Sequence, residues 1–133
     1  MQLGAEQTLL LGDDNLPTGL LSVADSPYDL RRPTPVIRVP AHAAFTRLHL
    51  DGGRVRIRLI DRRSTNVAEV WADTRFRWVQ VYITDTLPGT SPGRVAVALE
   101  PMTAPPDALN SRTDLQWLGP GAYWELSWGI RSL

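Results

Sequence analysis

Proline and glycine interrupt this chain so often that no long regular element fits into it. Eleven Pro and ten Gly are spread over 133 residues, and no stretch carries a sustained apolar period of 3.6 residues. What lies between the breaks is a series of short alternating runs, the pattern of β-strands joined by turns and loops. Hydrophobic residues make up 43% of the chain, enough for a buried core and too many for disorder. The length corresponds to about one domain, and no internal boundary or repeat divides it, so residues 1–133 read as a single domain.

The final run has the clearest alternation. Ala122, Trp124, Leu126, Trp128 and Ile130 alternate with Tyr123, Glu125, Ser127 and Gly129, which predicts a strand with one deeply buried face. Over 54–61, Val55, Ile57 and Leu59 fall on one side and Arg54, Arg56 and Arg58 on the other, predicting a strand with a solvated arginine face. Asp51-Gly52-Gly53 before it supplies the positive φ of a tight turn and predicts a hairpin with 45–50. Further strands are expected at 8–11, 67–72, 78–84 and 95–100, with a weaker one at 114–118. Many short strands at this spacing point to an all-β sandwich or barrel of mostly antiparallel strands. Three proline-rich stretches, 17–44, 85–93 and 101–112, read as long ordered loops of the kind that carry binding surfaces.

Charge removes several function classes. Fourteen basic and fourteen acidic residues cancel, and a pI near 6.7 leaves no electrostatic footprint for nucleic acid or an anionic membrane. All the basic residues are Arg; without Lys, neither a lysine Schiff base nor a P-loop can form. Without Cys there is no disulfide, thiol nucleophile or cysteine metal site, and two His are too few for a histidine-rich one. Residues 1–11 carry no basic leader and too short an apolar run for a signal peptide or membrane span, so a cytoplasmic setting is expected. The arginines at 54, 56, 58, 62 and 63 could meet an anionic ligand, but with balanced charge a solvated face is the better reading. Asp29 with Arg31, and Asp107, read as loop anchors, and His49 as a surface or structural residue.

Glu100 ends an apolar strand and opens a stiff loop, Pro101-Met102-Thr103-Ala104-Pro105-Pro106. A carboxylate there is either a solvated strand end or a general base whose direction the rigid backbone fixes. Trp78, Gln80 and Tyr82 share one strand face by alternation, with Val79 and Val81 on the other. Gln80 could hydrogen-bond sugar hydroxyls and Trp78 could stack on a sugar, although aromatic residues on a sandwich strand more often serve the core.

Arg77-Trp78-Val79-Gln80-Val81-Tyr82, then 95–110 from Val95 through Leu99-Glu100-Pro101-Met102 to Asn110, then Leu118-Gly119-Pro120-Gly121-Ala122-Tyr123-Trp124 closely resemble, in order and spacing, the C-terminal part of the aldose 1-epimerases, or galactose mutarotases. Upstream, Leu16-Pro17-Thr18-Gly19, Ser26-Pro27-Tyr28-Asp29-Leu30-Arg31 and Ala44-Phe45-Thr46 look like the family's central segments. The resemblance implies the central and C-terminal portion of a galactose mutarotase-like β-supersandwich, interconversion of the α and β anomers of a free aldose, and no metal or organic cofactor. In that family a Glu takes the anomeric proton and a His protonates the ring oxygen; Glu100 matches the base. The position matching the family's sugar-binding Asp, in Leu-Asp-x-Ala-Phe, is His42 of Ala41-His42-Ala43-Ala44-Phe45. The family's histidine motifs, Asn-x-x-x-His-Arg and Asn-His-x-Tyr-Phe-Asn, are absent from this sequence, which resembles the part that follows them.

The expected partner is therefore a small-molecule sugar, with neither nucleic acid nor membrane. Lacking the first half of a supersandwich, the chain should repack as a smaller sandwich, complete its sheets by self-association, or pair with a separate N-terminal half. Two other readings stand beside the enzyme: a non-catalytic carbohydrate-binding or interaction module on the same scaffold, and a truncated remnant.

Overall fold

The computed structural model describes residues 1–61, 63–89 and 91–133. Among them are nine strands: β1 Gln2–Leu3, β2 Ala5–Leu11, β3 Pro17–Ser22, β4 His42–Leu48, β5 Val55–Ile60, β6 Val67–Ala72, β7 Trp78–Thr84, β8 Ala96–Met102 and β9 Trp128–Ser132. One helical turn, α1 Ala108–Ser111, follows β8, and a short 3-10 turn covers Val36–Arg38. The strands form two antiparallel sheets, β1-β5-β6-β9 and β3-β2-β4-β7-β8, an all-β sandwich as the alternating runs predict.

The core lies between the sheets because both present their period-2 apolar residues to each other. Phe45 and Val79 from the five-stranded sheet and Val55 and Ile57 from the four-stranded one are buried, and Leu3, Leu30 and Val23 close one end. Thr8, the polar member of this interior, donates its hydroxyl to the Ala44 carbonyl at 3.1 Å, so its burial leaves no orphaned group.

Several local expectations are overturned. Asp51-Gly52-Gly53 does turn, with φ of +60° and +73° at the two glycines, but it joins no hairpin: β4 pairs with β2 and β7, while β5 pairs with β1 and β6. The turn carries the chain from one sheet to the other. Just upstream, Arg47 adopts a left-handed φ of +52° and His49 donates its backbone N–H to Gly4, so the chain has bent out of its sheet before the glycines.

The final strand is also not buried. It begins only at Trp128, where Trp128 is 57% and Ile130 68% exposed. Their register partners on β6, Ala72 and Val70, face the core, so these two side chains point inward at the sheet edge, where a groove separates Trp128 from Leu99 and Pro101 of the opposite sheet.

The arginine face is not simply solvated. Arg56, Arg58 and Arg131 converge on Glu69, donating at 2.7, 2.8 and 2.8 Å, and Glu69 has no exposed surface because the guanidiniums cover it. Arg54 lies 3.9 Å above the Trp71 ring, a cation–π contact. Arg62 falls outside the described residues. Asp29 binds Arg31 through both carboxylate oxygens, at 2.9 and 2.7 Å, and Asp107 accepts from Asn110 at 2.5 Å; both anchor loops, as expected. His49 pairs with Glu6 at the surface.

Candidate functional site

Strand β7 has Val79 and Val81 fully buried, which turns Trp78, Gln80 and Tyr82 to the outer face of the five-stranded sheet. Register then decides what stands beside them. Glu100 of β8 is directly opposite Gln80, and Ala44 of β4 flanks Gln80 on its other side. One row along, Tyr82 lies between Ala98 and His42; one row in the other direction, Trp78 lies between Met102 and Thr46. All four residues singled out from the sequence, Glu100, Gln80, Trp78 and His42, are thus on one face of one sheet.

Their environments differ. Glu100 is exposed, and among the described residues its carboxylate has no hydrogen-bond partner; Leu99, Pro101 and Trp128 share with it a groove of 330 Å³ at the open edge between the two sheets, which neither Gln80 nor His42 lines. Gln80 is half-buried, donating at 3.3 Å to the Val81 carbonyl, so its carbonyl oxygen is left for a ligand. The His42 ring packs on Tyr82 with centroids 4.5 Å apart and planes tilted by 56°, which fixes the imidazole against an aromatic wall. A groove of 390 Å³ opens there, with His42, Tyr82, Thr84 and Asp85 on its polar side and Val36, Val39 and Val95 on its apolar side.

Trp78 has a different setting. It is 3% exposed, and its indole N–H donates to Asp114 at 2.8 Å while Arg77 donates to the other oxygen of the same carboxylate at 2.5 Å. Asp114, expected on a weak strand, instead lies in a left-handed turn with φ of +50° and pins the segment after α1 onto the sheet. The indole face therefore has little area for stacking a ligand. A larger groove of 450 Å³ opens beside it between Gln7, Thr46, Arg47, Arg77 and Asp114.

The spacing between the two groups follows from sheet geometry. His42 and Glu100 are two strands apart and one side-chain row offset, about 12 Å between Cα atoms, with Gln80 and Tyr82 on the strand between them. An imidazole can both donate and accept hydrogen bonds, and a carboxylate offers acceptors only. Among the described residues no three His, Asp or Glu side chains gather in a way that would hold a metal ion, and no helix is long and apolar enough to cross a membrane.

No known protein family, curated protein or solved structure matches this chain. Two partnerships were not legible in advance. The His42–Tyr82 stack depends on β4 pairing with β7, where a local hairpin reading would have placed β5. The Asp114 anchor depends on a loop, for which no periodic signal exists.

Proposed function

We propose that this chain is an aldose 1-epimerase-like protein acting on a free aldose on the outer face of the five-stranded sheet, with Glu100 as the general base, in a cytoplasmic setting. The observation that supports this best is the direct cross-strand pairing of Gln80 with Glu100, with His42 held on Tyr82 one row away on the same face. The resemblance through Trp78–Tyr82 and Leu99–Met102 supports it independently.

In this reading the Glu100 carboxylate removes the proton from the anomeric hydroxyl. The bond from the anomeric carbon to the ring oxygen breaks, its electron pair goes to that oxygen, and the oxygen takes a proton from a water molecule. The open-chain aldehyde rotates and recloses by the reverse steps on its other face, so atoms and charge balance with no cofactor. Gln80 orients a hydroxyl next to the reacting carbon, and His42 takes the place of a sugar-binding carboxylate. With a positioned base alone, general-base catalysis contributes roughly 10²–10⁴-fold.

One observation favours a second reading, a carbohydrate-binding module without turnover. Glu100 is exposed and open to water, an arrangement that suits a carboxylate accepting hydrogen bonds from sugar hydroxyls. Polarimetry of freshly dissolved α-D-glucose and α-D-galactose separates the two. The epimerase reading expects mutarotation faster than the buffer rate with wild-type protein and at the buffer rate with Glu100→Gln. Buffer rates for both proteins, with sugar binding weakened by Gln80→Ala, would replace it with the binding module.

A further inference from the structure

Each sheet has two edges, and three of the four are blunted against pairing with another chain. β1 is only two residues long, and Leu3 donates its N–H to the Leu30 carbonyl of a covering loop. β3 begins at Pro17 and includes Gly19, and β8 contains Pro101; both prolines remove a donor from an edge. β9 has no proline, no bulge and no inward-pointing charge. Its inner-face side chains are Trp128, Ile130 and Ser132, the first two exposed despite pointing toward the core side.

The hydrogen-bond phase of β9 says which of its backbone groups are free. Val67 and Leu133 exchange both N–H···O bonds, and Asp73 donates to the Ser127 carbonyl. In an antiparallel ladder such pairs recur at every second residue, so Gly129 and Arg131 turn their backbone groups toward β6. Trp128, Ile130 and Ser132 turn theirs to the open side.

We infer that β9 pairs antiparallel with the β9 of a second copy of this chain, about a two-fold axis through Ile130. That register sets Ile130 opposite the partner's Ile130 and Trp128 opposite the partner's Ser132, so every outward N–H and C=O of these residues meets its complement. Charge agrees with it. Arg131, the one charged residue of β9, has its guanidinium engaged by Glu69 at 2.8 Å and falls opposite the partner's Gly129, so no like charges meet. The four-stranded sheets of the two copies become continuous. Covering Trp128, Ile130 and Leu133 in both copies removes on the order of 700 Å² from water, the size of a small, weak interface, so backbone pairing carries the specificity, and the interface is isologous as two-fold symmetry requires.

The chain has no cysteine, which makes the register directly testable. In a hydrogen-bonded antiparallel pair the facing Cα atoms are about 5.5 Å apart, within disulfide reach. Ile130→Cys should therefore oxidise to a covalent dimer, while Trp128→Cys and Ser132→Cys, each alone, should stay monomeric on a non-reducing gel. An equimolar mixture of those last two should cross-link. Light scattering of the wild type across a concentration series should show a dimer, and Ile130→Pro, which removes only an outward N–H, should dissociate it with an unchanged far-ultraviolet circular dichroism spectrum. A wild type that stays monomeric at every concentration, equal cross-linking at all three positions, or open-ended aggregates would overturn the inference. The cysteine pattern decides it even if the proline variant unfolds.

Discussion

Replacing Glu69 with Gln should be among the most damaging conservative changes available outside the core. The side chain has no exposed surface, whereas its partners Arg56, Arg58 and Arg131 are 17%, 33% and 47% exposed. Gln keeps the volume and one acceptor oxygen, but its amide NH₂ would face guanidinium donors, leaving Arg56 and Arg58 with Asp51 as their remaining acceptor. Breaking a fully buried ion pair costs about 3–5 kcal/mol, and exposed pairs contribute about 0.2–1 kcal/mol. With a covered anion and half-wet cations, the expected loss is about 2–3 kcal/mol, or roughly 10 °C in Tm for a chain of this size. Urea unfolding followed by tryptophan fluorescence would measure it. Desolvation pushes the Glu69 carboxyl up, and the hydrogen bonds from Arg58, Arg131 and Arg56 outweigh it, leaving the pKa below the ordinary value of 4.5. A pKa depressed on folding stabilises fully above the unfolded-state value and is lost as pH falls through the folded-state one. The gap between wild type and Glu69→Gln should therefore stay constant through neutral pH and close only in acid below the ordinary glutamate range. A loss under about 0.5 kcal/mol, the level of an ordinary surface pair, or a gap that widens in acid would refute the reasoning.

Two further substitutions probe packing. Phe45, fully buried and edge-on to Tyr28 with ring centroids 6.5 Å apart, should cost about 3–5 kcal/mol when replaced by Ala, read from the shift of the urea midpoint at constant slope. At Gly129 a Cβ would fall 2.9 Å from the Trp71 ring, so Gly129→Ala should push the indole away from Arg54 and cost about 1 kcal/mol, with a change in Trp emission that the same substitution in a Trp71→Phe background abolishes.

The strands most legible in the sequence are those whose alternation coincides with burial. Val67–Ala72 and Trp78–Thr84 occur at the expected bounds because Val70, Val79 and Val81 repeat on the core face. Pro17–Ser22 was hidden inside a proline-rich loop: its residues are nearly all exposed, and it is held by backbone pairing to β2, which leaves no apolar pattern. The Asp51-Gly52-Gly53 signal specifies a local reversal, and nothing local distinguishes a reversal within one sheet from a crossing between two. At the end of the chain the alternation through Trp128 and Ile130 is real and inward-facing, yet burial also needs the opposite sheet to close on it, and here an open groove separates Trp128 from Leu99 and Pro101, which periodicity cannot foresee. For the site, alternation alone put Trp78, Gln80 and Tyr82 on one face. The company of Glu100 and His42 on that face came from long-range register.

The measurement closest to the centre of this account is a two-dimensional NMR titration of the protein with D-galactose and D-glucose, following the His42 imidazole, the Gln80 side-chain amide and the backbone amides of Glu100 and Tyr82. The account predicts saturable shifts at these four residues, with the Arg56, Arg58 and Glu69 face unmoved. Saturable shifts confined to other surfaces, or none at any of the four up to the solubility of the sugars, would contradict it.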